Sequence, residues 1–212
     1  MLSAVIFDLD GLMVDSTPLQ QQASRKFLES FGKLHYSNRS GREGMRIIDI
    51  ISEYKDIYNL PGSLEELYHK RQQIYFEIAK EQLELFPDLL PLLEKLQQKK
   101  LKLAIATSGD RDYIELLFKK FPQLLKFLPV VTTSEDVQRG KPYPDVYLKT
   151  AEKLGVVPNS CIVLEDSMTG VAAAKAANMQ VICIPNKHYP EADYSQADRS
   201  FNSLGEVIAA IP

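Results

Sequence analysis

Short apolar runs rich in β-branched residues recur along the chain, separated by stretches with helical spacing. Ser3–Phe7 (SAVIF), Leu101–Ala106 (LKLAIA), Val130–Thr133 (VVTT), Cys161–Leu164 (CIVL) and Val181–Ile184 (VICI) each predict a buried strand. Between them the pattern predicts helices. Asp88–Lys100 is Leu-rich and ends in lysines, which suit the negative end of a helix dipole. Asp110–Phe121 follows, then Asp145–Leu154 stopped by Gly155, then the Ala-rich Thr169–Ala177 with Asn178 as a left-handed cap. Ser203 with Glu206 is a capping-box spacing that opens a last short helix. Strands alternating with helices predict right-handed βαβ units. The expected fold class is α/β, a doubly wound parallel sheet with helices on both faces.

One interval breaks the rhythm. More than roughly ninety residues separate Phe7 from Leu101, whereas a single crossover needs about thirty. The surplus has helical patterning. Pro18 suits the first turn behind Ser16 or Thr17, and Leu19, Ala23, Phe27, Leu28 and Phe31 share a face that ends at Gly32. Met45, Ile48, Ile51 and Tyr54 form a second stripe. Ser63 with Glu66 is another capping box, leading into Leu67, Ile74, Tyr75 and Ile78. These residues, 16–82, are expected to form a helical cap inserted after the first strand. Residues 1–15 and 83–212 would form the α/β core.

Composition narrows the classes of function. The chain has 212 residues, 45% of them hydrophobic and 25% charged, enough apolar surface to form a core. A formal net charge of −3, with no long basic run, disfavours a nucleic-acid partner. Cys161 and Cys183 both sit in strand-like runs and read as buried thiols, with no zinc-type spacing. Asp8 and Asp10 interrupt the first apolar run, so a signal peptide is not expected, and no run reaches membrane-spanning length. A monomeric cytoplasmic protein with no membrane partner is the expectation. His35, His69 and His188 fall in no motif and read as surface residues.

Open parallel sheets bind ligands at the carboxyl ends of their strands. Those ends carry Asp8-Leu9-Asp10-Gly11, Thr107-Ser108-Gly109, Arg139-Gly140-Lys141-Pro142 and Glu165-Asp166-Ser167. Any one of these reads alone as a cap or a solvated loop. Together they bring four acids, two hydroxyls and an amine to one edge. Four carboxylates in one cleft raise each other's pKa, and a divalent cation relieves the repulsion. An all-oxygen donor set points to Mg²⁺. Lys141 and Thr107 would then serve an anionic group, which is the equipment of phosphoryl transfer.

The segment Asp8-Leu9-Asp10-Gly11-Leu12-Met13-Val14-Asp15-Ser16 resembles the first motif of the haloacid dehalogenase-like superfamily. Thr107-Ser108, Gly140-Lys141-Pro142 and Glu165-Asp166-Ser167 resemble its second, third and fourth motifs in the right order. GKPYPDVY and LEDSMTGVAAAKAA are similar to the branch holding β-phosphoglucomutase and phosphoglycolate phosphatase. The resemblance implies that Asp8 is a nucleophile forming an aspartyl phosphate, and that Asp10 is the general acid–base. It implies that Asp8, the Asp10 carbonyl, Asp166 and Glu165 hold Mg²⁺, Glu165 directly or through water. Thr107 and the Ser108 amide would bind phosphoryl oxygens, and Lys141 would neutralise Asp8 and the phosphoryl group. In the cap, Arg42 (in Gly41-Arg42-Glu43-Gly44) and Arg71 match positions that meet the substrate. Gln20 stands where the mutases carry a His, which favours a phosphatase acting on a small sugar phosphate or nucleoside monophosphate over a mutase. Asp10 disfavours dehalogenase and phosphonate-hydrolase readings. Two non-enzymatic alternatives, a phosphoacceptor switch and a degenerate binding protein, fit the cap insertion and the intact acid set less well.

Overall fold

The computed structural model describes residues 2–34 and 44–210. Six strands form one sheet: β1 (Ala4–Phe7), β2 (Lys102–Ala106), β3 (Val130–Thr132), β4 (Cys161–Glu165), β5 (Gln180–Cys183) and β6 (Arg199–Ser200). Their order is β3-β2-β1-β4-β5-β6, and every pairing is parallel. The chain therefore winds outward from β1 to β3, then returns to the other side of β1 to lay down β4. That reversal places a crevice at the carboxyl ends of β1 and β4, where open α/β sheets bind ligands. The sixth strand lies beyond the five that the apolar runs predict, for it has only two residues, both exposed.

The side-chain alternation of β1 sorts the core into two layers. Val5 and Phe7 join a cluster with Leu89, Leu92, Leu93 and Leu96 of α4 (Leu89–Gln98) and Leu117 of α5 (Arg111–Lys120). Ala4 and Ile6 face the opposite layer, against Val146, Tyr147 and Ala151 of α6 (Asp145–Leu154) and Val171 and Ala174 of α7 (Met168–Ala176). Both faces are thus covered, which is the doubly wound arrangement that the continuous apolar runs predict. A last helix, α8 (Leu204–Ala210), packs on α4.

Between β1 and β2 stand three helices: α1 (Thr17–Glu29), α2 (Ile47–Tyr58) and α3 (Leu64–Gln82). Phe27, Leu28, Ile50, Ile51, Tyr54, Leu60 and Leu67 form their own buried cluster. Local chemistry fixes their ends. Pro sits in the first turn of α1, a full capping box joins Ser63 and Glu66 at the start of α3, and Asn59 closes α2 in the left-handed conformation. The two strands of chain linking this unit to the sheet run side by side: Val14 bridges Leu85, the Asp15 amide donates to the Glu84 carbonyl, and Phe86 donates to Met13. The unit is also welded to the core, because Leu19, Ala23, Tyr75, Ile78 and Ala79 belong to the large core cluster. Among the described residues, no helix is long and apolar enough to cross a membrane. Cys161 and Cys183 are buried free thiols.

Candidate active site

The parallel register builds the site. Phe7 pairs with Ile105 on one side and Leu164 on the other, so Asp8, the next residue, emerges level with Ala106 and Glu165. The Asp8 amide donates to the Leu164 carbonyl, which keeps the two strands together past the last pair. Gly11 then turns the chain with φ +80, and a Cβ there would lie 2.0 Å from Asp166 Oδ2. Only glycine provides both the backbone conformation and the space for Asp166.

Lys141 ties two of the predicted acids together. Its Nζ lies 2.5 Å from Asp8 Oδ1 and 2.5 Å from Glu165 Oε1, with all three side chains buried. Burial opposes charge on Lys141, but Asp8 and Glu165 outweigh it and hold its pKa well above the ordinary lysine range. Burial would also raise Glu165, yet Lys141 beside it holds this carboxyl below its usual value. Glu165 is fully engaged. Oε1 accepts from Lys141 and from Tyr147, and Oε2 accepts from the Asp166 and Ser167 amides and from Ser167 Oγ. Gly170 makes room for it, since a Cβ there would lie 1.7 Å from Glu165 Oε1.

The remaining acids behave differently. Burial pushes the Asp8 carboxyl up to about 7, with Glu165 adding to the rise and Lys141 opposing it. Burial and then the Asp8 charge hold Asp166 well above the carboxylate range. Asp10 is raised by burial too, although hydrogen bonds to it oppose the shift. Asp8, Glu165 and Asp166 each present a carboxylate oxygen within 4.8 Å of the others. Three buried carboxylates facing one ammonium, with oxygen donors only, fit a small hard dication.

Above these groups lies a cavity of about 90 Å³. Asp8, Asp10, Asp166, Ser108 and Gln20 line it. Thr107, Lys141 and Glu165 are buried, and Lys141 contacts the lining residue Asp8. Thr107 Oγ1 accepts from the Gly109 amide at 2.9 Å, so the hydroxyl proton is what it can offer a ligand. Ser108 Oγ donates to the Gly44 carbonyl at 2.6 Å, a tie from the sheet to the helical unit. A Cβ at Gly44 would lie 2.6 Å from both Ser167 Oγ and Thr169 Oγ1, so a larger residue would hold the two units apart there.

The cap residues depart most from expectation. Arg71 does not reach the cavity wall; its guanidinium is buried behind Gln20 and Gln72. It donates to the Gln20 carbonyl and side chain and to Gln72 Oε1. A surface arginine on this face has no water to point into, because α1 packs across it, and the fork is satisfied by amide oxygens instead. Arg42 and His35 lie outside the described residues. His69 is exposed and His188 half-buried.

Several site residues were not anticipated. Asn186 donates to Asp166 Oδ2 at 2.6 Å and to Thr17 Oγ1 at 3.0 Å, bridging the sheet and α1. It follows β5, so the strand-end rule extended by one strand would have found it. Tyr113 donates to Asp10 Oδ1 at 3.0 Å, and Tyr147 to Glu165 at 2.5 Å. Both lie on helices; Tyr147 ends the GKPYPDVY stretch, whereas no local motif marks Tyr113.

Comparison with known proteins agrees with this arrangement. Residues 5–184 match the family model described as haloacid dehalogenase-like hydrolase. A phosphorylated carbohydrates phosphatase of Thermotoga maritima is 35% identical over 189 residues, covering 85% of this chain and 84% of that one. Hexitol phosphatase B of Escherichia coli K12 is 31% identical, covering 97% and 94%. The crystal structure of a hydrolase from Pseudomonas syringae superposes with a TM-score of 0.84 at 26% identity, covering 99% and 97%. With the family match spanning most of its length, and with a parallel sheet whose strand ends bear this acid set, the chain belongs to the haloacid dehalogenase-like hydrolases.

Proposed function

We propose that the chain is a Mg²⁺-dependent phosphatase that hydrolyses a small phosphate monoester, a sugar phosphate or nucleoside monophosphate, through an aspartyl-phosphate intermediate. The observation that carries this reading is the buried contact of Lys141 with Asp8, which lines a cavity together with Asp10 and Asp166. The phosphatases among its relatives support it.

In the first step an Asp8 carboxylate oxygen attacks phosphorus and the ester P–O bond breaks. Asp10 gives its proton to the departing alkoxide. In the second step Asp10 takes a proton from water as that water attacks phosphorus, which frees phosphate and restores Asp8. The raised pKa of Asp10 suits a group that begins as an acid. Lys141, Thr107 and the Ser108 amide would hold phosphoryl oxygens; the burial of Lys141 and Thr107 and the place of Ser108 in the cavity lining support this. Asp8, Asp166 and the Asp10 carbonyl would hold Mg²⁺. When bound, the cation draws negative charge off the phosphoryl group. Five donors already occupy the Glu165 carboxylate, so we assign it the task of holding Lys141 and the turn after β4. Gln20, whose side chain accepts from Arg71, sits where the mutases carry a His, and this favours hydrolysis over the mutase alternative.

A panel of sugar and nucleoside monophosphates, assayed for released phosphate with Mg²⁺, tests the proposal. At least one should turn over, and Asp8→Asn or EDTA should abolish the activity. Turnover surviving either change would contradict the mechanism.

A further inference from the structure

The hydroxyl of Tyr113 reaches Asp10 from the first turn of α5, a helix with no part in the four sequence motifs. Both groups are deep in the site, and the phenol donates to Oδ1 at 3.0 Å. The phenol's hold on Oδ1 restrains the orientation of the carboxyl that must present a proton to the ester.

The turn that bears Tyr113 is itself gripped from the helical unit. Asp110 caps α5 by accepting from the Tyr113 amide at 2.9 Å. The other oxygen of Asp110 accepts from two side chains of α3, the Tyr68 hydroxyl and, at 2.6 Å, Gln72 Nε2. One turn further along α3, the Tyr75 ring meets the Tyr113 ring edge-on at 5.3 Å and 75°. Gly109 clears the space, since a Cβ there would lie 2.8 Å from the Tyr113 ring. A small residue, a helix cap and three side chains of α3 therefore all act on one tyrosine, whose hydroxyl ends on Asp10.

We propose that Tyr113 is a positioning residue for Asp10, and that the seam from Tyr68 and Gln72 through Asp110 makes the aim of Asp10 depend on the helical unit resting on the sheet. The inference rests on the phosphatase reading. In the first step the proton on the Asp10 carboxyl moves to the ester oxygen as the P–O bond breaks and the bond from Asp8 to phosphorus forms. A misaimed acid harms esters in proportion to how badly their leaving group needs that proton.

The test is leaving-group dependence. kcat/KM reports steps up to the first irreversible one, here transfer to Asp8, so it isolates the acid role from later attack by water. It is measured with Mg²⁺ for 4-nitrophenyl, phenyl and 4-methoxyphenyl phosphate, which differ little in size but widely in leaving-group stability. In Tyr113→Phe, kcat/KM should fall roughly tenfold or more for the phenyl and methoxyphenyl esters and less than about threefold for the nitrophenyl ester. Tyr68→Phe, at a half-buried position, should show the same selective pattern to a smaller degree, and carries the test alone if Tyr113→Phe gives no cooperative melt. Equal loss on all three esters, as a merely structural role predicts, would overturn the inference, and so would no loss. Wild-type protein inert towards all three and towards the sugar and nucleoside monophosphate panel would overturn the phosphatase reading itself, and this inference with it.

Discussion

Lys141 is the residue on which the charge balance of the site turns. It is buried between Asp8 and Glu165, and removing one partner of a buried ion pair leaves an uncompensated charge. Glu165 has its pKa lowered in the folded state, so it contributes stability that is present above its ordinary value near 4.3 and lost as pH falls through the lowered one. Lys141→Ala removes that contribution. In metal-free protein the variant should be less stable by about 3 kcal/mol at pH 8, and the deficit should shrink towards pH 5, where the abandoned carboxyls take up protons. Urea denaturation at the two pH values checks this; a deficit that grows on acidification would contradict the assignment. The motif residues at the strand ends were legible because each follows an apolar run, and the strand-end rule gathers them. Tyr113 and Asn186 carry no such signal within the four motifs, and Arg71 matches a position expected to meet the substrate because the sequence does not show that α1 covers it.

At the scale of elements, the site depends on how closely β4 and α7 approach each other. The chain leaves β4 at Glu165 and enters α7 at Met168, with Ser167 Oγ accepting from the Gly170 amide. Gly170 reads in the sequence as a residue of a small-residue helix; the fold shows that it admits the Glu165 carboxylate. Gly170→Ala improves helix propensity by roughly 1 kcal/mol, yet its Cβ would overlap Glu165 and push it away from Lys141. Steady-state assay of the variant should show at least about a tenfold loss of turnover, and unchanged turnover would show that Glu165 tolerates displacement. Helix ends were the most readable feature of these elements. Pro18, the Ser63–Glu66 box, Gly155 and Asn178 all act as local chemistry predicts, because caps depend on neighbours in sequence. In the second cap stripe Ile51 and Tyr54 are buried and Met45 packs against their cluster, while Ile48 is only half-buried and Ile50 is buried in its stead, since packing against α1 and α3 decides the face. The exposed strand β6 had no apolar run to reveal it.

For the whole molecule, the winding of the sheet and the insertion of α1–α3 bring distant segments to one crevice, and the acids gathered there destabilise one another. A ligand that relieves the repulsion and binds only the folded chain must stabilise it. At a concentration about 100 times its Kd, Mg²⁺ adds ~2.7 kcal/mol and should raise the melting temperature by on the order of 5 °C. Asp8→Asn should reduce the shift, because one of the three facing carboxylates is gone. Scanning calorimetry with and without the cation checks this independently of any substrate; an unchanged melting temperature would count against a metal among these acids. Strand–helix alternation made the layered sheet legible, and the oversized first interval pointed to the helices α1–α3 that stand between β1 and β2. What the pattern could not supply was the seam between them, where Ser108 meets Gly44 and Asp110 meets α3, because contacts between units leave no periodicity.

The central claim is that Asp8 itself takes the phosphoryl group, and the stereochemical course at phosphorus tests it most directly. The substrate is a phosphate monoester made chiral with oxygen isotopes and sulfur, hydrolysed with Mg²⁺. Two successive in-line displacements, first by Asp8 and then by water, predict net retention of configuration. Net inversion would mean that water attacks the ester directly, and would contradict the account.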